Sequence, residues 1–173
     1  MEESKRKGSF HRWDEDRTRD FSAIVRLLSK PQLLDALKPT RRERLIWNLP
    51  RIYGDTERRE GYEQARKDMA AAAPGCFAHV YSNATDPSTS LEMFWDIAIG
   101  GIANGDRPLV DTVFEALVRQ LAIPNRWCQA SAIHGFNHLK EPRCRPLLRR
   151  FIESCEDDYL REYARGAMTF TLM

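Results

Sequence analysis

The sequence predicts an all-α protein: an α-α superhelix of stacked helical hairpins behind an irregular helical N-terminal cap region. Three observations point there. A group of small residues recurs, Ala98 to Gly101, then Ala132 to Gly135, then Ala164 to Ala167, at steps of 34 and 32 residues. Each group sits inside a segment of helical periodicity. Short turn signals of Gly, Pro, Asn and Asp separate those segments. A period of about 30–40 residues built from paired helices marks an α-solenoid, in which each hairpin buries its apolar face on the next.

Taken in order, residues 1–18 are charged and nearly free of aliphatic side chains, so a mobile arm is expected ahead of a single domain over 19–173. Phe10 and Trp13 are the arm's aromatic exceptions and suit a latch onto the body or a partner. Asp20 is expected to cap a first helix over FSAIVRLL, and Pro31 to open a second, short one. Thr40 and Glu43 have the spacing of a capping box, which starts a helix expected to be disturbed at Pro50 or Gly54. Asp55 and Thr56 then offer a cap for a charged helix that Pro74 and Gly75 should terminate. Residues 76–83 are aromatic and β-branched, open to strand or helix; with no partner strand elsewhere, helix or irregular packing is preferred. The run 83–88 is the expected boundary between the N-terminal helices (19–88) and the hairpins (89–173).

In the hairpin region Thr89 and Glu92 form another capping box, and Leu91, Phe94, Trp95, Ala98 and Ile102 share one helical face. Asn104 and Gly105 end that helix. Asp106 caps the next, Pro108 sits in its first turn, and Val110, Val113, Phe114, Leu117 and Leu121 form its buried stripe. Asn125 opens the following helix, Glu141 and Pro142 turn it back, and Leu147, Leu148, Phe151 and Ile152 line the return helix. Asp157 or Asp158 caps the last. Trp127 is expected to be buried where adjacent hairpins meet.

Composition narrows the function. The 173 residues are 42% hydrophobic and 30% charged with a formal net charge of +2, far from the strongly basic footprint of a nucleic-acid binder. No apolar run approaches the ~18 residues of a membrane span, so no membrane partner is expected. The N-terminus lacks the apolar stretch of a secretory signal, which implies a cytoplasmic protein. Cys76, Cys128, Cys144 and Cys155 form no CxxC pair and are read as reduced and structural.

These residues resemble the HEAT repeat superfamily, in particular its short form found in phycobilisome-lyase-like and other bacterial helical-repeat proteins. The similarity lies in Ala98 to Gly101 with the turn Gly105 to Pro108, in Ala132 to Gly135 with the turn Lys140 to Pro142, and in Leu160 to Ala164. It covers about residues 89–170. The resemblance implies a scaffold, receptor or inhibitor more readily than an enzyme. By analogy, a bacterial toxin-neutralising immunity protein or an adaptor is the first reading, with no cofactor and with another protein as partner. Trp13, Trp47, Tyr53, Arg145 and Arg149, where exposed, are its candidate contacts, because Trp, Tyr and Arg dominate binding hot spots.

The alternative is a nucleic-acid-binding or DNA-repair-like HEAT protein, in which Arg41, Arg42, Arg145 and Arg149 meet phosphate. Some HEAT-like proteins resembling alkylpurine DNA glycosylases use Trp, Asp and Arg in a concave groove, and Trp95, Asp96, Arg126 and Trp127 invite that comparison. A third reading is a metal-dependent enzyme around His134 and His138, whose four-residue spacing sets two imidazoles on one helical face. Cys76 and His79 are the other ligands considered, should the chain fold back. No Ser-His-Asp, Cys-His or HExxH arrangement is present.

Overall fold

A computed structural model describes residues 22–56, 63–82, 94–96, 98–99, 107–170 and 172. The expected arm with Phe10 and Trp13, the Asp20 cap, the 83–88 boundary, the Thr89 capping box, Ile102 and the turn at 104–106 lie outside the described residues. Among those described the chain is all-α, with no strand. We label the helices α1 (22–29), α2 (Pro39–Thr56), α3 (Glu63–Ser82), α4 (helical at 94–96 and 98–99), α5 (Arg107–Leu121), α6 (Arg126–Leu139), α7 (Cys144–Ser154) and α8 (Asp158–Thr169). A 3-10 helix, Pro31–Ala36, joins α1 to α2.

Two expected helix ends are overruled by packing. α2 begins at Pro39 and continues through Pro50 to Thr56. Thr40 is therefore inside its first turn and no capping box forms there, while Asp55 and Thr56 finish α2 instead of capping α3. α3 runs through Pro74 and Gly75 to Ser82, absorbing the ambiguous segment as helix. A proline inside a helix forfeits one backbone hydrogen bond and crowds the preceding turn, at about 3 kcal/mol. The compensation is burial: Met69, Ala70, Ala73, Pro74, Cys76, Phe77 and Tyr81 form a continuous inner face, and α3 packs extensively on α5.

Two of the expected caps are made. Asn125 accepts from the amides of Trp127 at 3.0 Å and Cys128 at 3.1 Å, closing the N-terminus of α6. Its amide also reaches Tyr81 O, in the last turn of α3, at 3.4 Å. Asp157 accepts from Leu160 N at 3.1 Å and starts α8. The turn between α6 and α7 is pinned by Glu141, which accepts from Arg107 at 2.9 Å and Arg143 at 3.1 Å.

One core cluster runs from Ile24 to Ala167. At its centre Tyr53, Phe77, Phe94 and Trp95 meet edge to face, with centroids 5.1–6.0 Å apart. One of the small residues, Gly135, sits at a close approach between helices. A Cβ on Gly135 would lie 2.5 Å from Leu117 Cδ2 and 3.2 Å from Trp95 Cγ, so a larger residue there would require Leu117 and Trp95 to shift. Close packing also joins α5 to α6, α6 to α8 and α7 to α8; α6 and α7 are not among the close pairs, contrary to the expected hairpin across Glu141 and Pro142.

The tryptophans divide differently from expectation. Trp95 is fully buried, and its indole N–H donates to Gln120 Oε1 at 3.1 Å. Gln120, itself fully buried, passes the bridge on by donating to Cys128 O at 3.2 Å. Trp127 is only half-buried, with the Arg126 guanidinium 5.8 Å from its ring; the junction between helices is filled from α4, not from the start of α6. Trp95→Ala is therefore expected to lower stability by about 3–5 kcal/mol in chemical denaturation. Trp127→Ala is expected to cost roughly half of that or less, since its indole already touches water; equal losses would contradict this packing.

Candidate metal centre

α6 carries His134 and His138 on one side, one turn apart, and both turn toward Asp96 of α4. His134 Nε2 lies 2.6 Å and His138 Nε2 2.9 Å from Asp96 Oδ1. The two Nε2 atoms are 3.2 Å from each other. These three ligand atoms are the group among the described residues able to hold a metal ion. With bonds of about 2.0–2.1 Å, ligand atoms lie about 2.8–3.0 Å apart around an octahedral ion and about 3.3–3.4 Å apart around a tetrahedral one, so the cluster is nearer the octahedral spacing.

The local chemistry is unusual for an ordinary ion-pair cluster. Asp96 Oδ1 is buried and receives no hydrogen bond; both imidazole nitrogens are near it, yet neither contact has hydrogen-bond geometry. Burying an acceptor in this state costs about 1–3 kcal/mol. Burial is also the main influence that lowers the His138 pKa below the usual histidine value; the Asp96 charge opposes it, while His134 and Lys140 push the same way as burial.

The far side of His134 is fixed by α8. Its Nδ1 is 2.7 Å from Tyr163 Oη, and the two rings stack with centroids 6.2 Å apart. The contact at Nδ1 holds the ring with Nε2 turned toward Asp96, the kind of outer partner a ligating histidine commonly has. Exposure falls along the set, with side chains of His138 at 32%, Asp96 at 21% and His134 at 12%. His134, beside Tyr163, is thus the least exposed of the three and His138 the most.

The other sequence candidates are dispersed. Trp47 stands 66% exposed on α2, whereas Tyr53 is 0% exposed in the aromatic knot and offers a partner nothing. Burial likewise removes Trp95 from any concave groove. Arg42 pairs with Asp35 at 3.6 Å, and Arg41 is exposed on the same helix. Arg145 donates to Met168 O at 3.2 Å and covers the Phe170 ring at 4.9 Å, and Arg149 is exposed on α7. α2 and α7 form no close pair, so no helix contact gathers these arginines. Cys76 and His79 do not complete the histidine pair: Cys76 is buried in the core and His79 contacts Asp35 at 3.1 Å. Asp96 supplies the further ligand atom instead, from a helix far away in sequence.

No family model, curated protein or solved structure matches the chain.

The cysteines take no part in this centre. Burial pushes the thiols of Cys76, Cys128 and Cys144 up to about 12, leaving on the order of one thiolate in 10⁴ at pH 8. Cys155 is only half-buried. Native protein treated with a thiol reagent at pH 8 is expected to label rapidly at Cys155 alone, and at all four cysteines after denaturation. Rapid native labelling of Cys128 would show that α6 is not packed as described.

Proposed function

We infer that the protein is a HEAT-like helical-repeat protein whose functional centre is a divalent transition-metal ion held by Asp96, His134 and His138. The observation that carries this reading is Asp96 Oδ1, buried without a hydrogen bond and within 2.9 Å of two imidazole nitrogens. A cation placed among these atoms converts three unfavourable contacts into three bonds. Two imidazoles and one carboxylate suit zinc, iron(II), cobalt(II) or manganese(II). The C-terminal end of α6, with its partial negative charge, lies beside His138 and favours a cation there. Three protein ligands leave a position for water or substrate, the pattern of catalytic metal sites. This reading makes the protein a metal-dependent enzyme, with stacked helices acting as a rigid frame for ligands drawn from α4 and α6.

The test uses tag-free protein stripped with a chelator and titrated calorimetrically with zinc or manganese, with elemental analysis of the product. One ion per chain is expected. Asp96→Asn and His134→Ala, checked for intact helicity, should each weaken binding by at least about tenfold to a hundredfold. At a metal concentration of 100 Kd the wild type should gain about 2.7 kcal/mol of stability and the variants much less. Equal binding by all three proteins would remove the site.

A second reading, binding of another protein by an immunity protein or adaptor, is favoured by Trp47. A tryptophan 66% exposed on a packed helix is a rigid anchor that loses little entropy on docking. Trp47→Ala is expected to change stability by no more than about 0.5 kcal/mol while abolishing capture of a specific protein from native extract. Identical capture by wild type and variant would discard this role for Trp47.

A further inference from the structure

We propose that α6, α7 and the end of α8 form a peptide-binding cleft, filled here by the chain's own Leu172, whose outside ligand is a leucine-bearing extended segment of another protein. The inference is independent of the metal reading and uses none of its three ligands.

Recognition begins at Asn137, a side chain of α6 that is 2% exposed. A buried carboxamide must satisfy both its amide and its carbonyl within the protein. Both ends go to a single residue: Nδ2 donates to Leu172 O at 2.9 Å, and Oδ1 accepts from Leu172 N at 3.2 Å. This is the pair of bonds that a strand residue exchanges with its opposite number in an antiparallel ladder. It reads main chain alone, so any residue except proline can make it. The side chain is selected by a glycine. A Cβ on Gly166 would lie 2.6 Å from Leu172 Cδ2, so the isobutyl group fills space that α8 leaves open. Arg145 of α7 adds a third contact, donating to Met168 O at 3.2 Å while its guanidinium covers the Phe170 ring at 4.9 Å. Together these contacts specify an aromatic residue, one spacer and a leucine.

The resident segment is built to be exchanged. Leu172 is only half-buried and Arg145 is exposed, so the segment lies over the core and can leave without opening it. Phe170 holds the left-handed conformation, φ 57° and ψ 37°, as the C-cap of α8. That conformation is unfavourable for a residue with a Cβ and is usually taken by glycine at this position. Seating Leu172 therefore demands a strained bend, whereas a segment arriving from another molecule needs none. Exchange also never strands Asn137, because the newcomer remakes the same two bonds. A short tether presents the internal segment at roughly millimolar effective concentration, so the cleft stays filled until a better segment displaces it.

The experiment follows the fluorescence anisotropy of a labelled peptide with the sequence of residues 165–173, titrated with the whole protein and with its Leu172→Asp variant, both of equal helicity by circular dichroism. The variant, whose own segment no longer fits, is expected to bind the peptide saturably and at least about tenfold more tightly than the wild type does. A peptide N-methylated at the leucine amide lacks the N–H that Asn137 reads and should bind at least about fivefold more weakly, with the protein untouched. Absence of saturable binding to Leu172→Asp, or equal binding of the N-methylated peptide, overturns the proposal. So does a wild-type dimer in light scattering that Leu172→Asp dissociates, since the cleft would then belong to a second copy of this chain.

Discussion

The arrangement depends on a buried polar bridge. Trp95 of α4 donates to Gln120 of α5, and Gln120 donates in turn to the Cys128 carbonyl of α6. Both hydrogen bonds lie where water does not reach, so each polar end must find its partner within the protein or forfeit its solvation. Apolar contacts alone would let three helices slide; the bridge fixes their relative height. Asp96 follows Trp95 directly, so the same constraint that seats the indole also delivers a carboxylate to the histidines of α6. The core and the candidate centre are set by one registration.

On the proposed metal reading, the candidate centre would give up stability for a site able to hold an ion. A carboxylate oxygen without hydrogen bonds and two imidazoles in contact are poor choices for a helix interface judged on stability alone. Leucine or alanine at these positions would pack with less cost. Polar groups held in an unfavourable state by a well-packed frame are the common condition of sites prepared for a ligand. Here the frame is well packed: Trp95, next to Asp96, is held among aromatic residues of α3 and α4, and Tyr163 of α8 contacts His134.

Much of the helical order was legible in the sequence, because local chemistry decides it. Asn125 and Asp157 cap the helices they were expected to cap, and Val113, Leu117 and Leu121 fill the inner face that their spacing defines. Pro50 and Pro74 misled for one reason: a proline's local penalty is visible in sequence, whereas the buried area that outweighs it is not. Tyr53 looked like a contact residue because aromatic identity says nothing about which way a helix faces. The histidine pair was visible from its spacing, but its carboxylate was not. Asp96 lies 38 residues before His134, and only the stacking of α4 on α6 makes them neighbours. Its position beside a core tryptophan was the one available hint. Residues that assemble a site across stacked helices carry no fixed spacing, unlike the two that share a helix.

The missing side chain at Gly135 has an evolutionary corollary. Its hydrogen occupies a notch walled by Leu117 and Trp95, so the three positions cannot vary independently. A larger residue at 135 is accommodated most readily where 117 has already shrunk, and leucine regained at 117 would then have to move its methyl groups aside. Such history-dependent trajectories are epistasis arising from sterics, and they channel drift in this protein away from the strip of helix nearest its histidines.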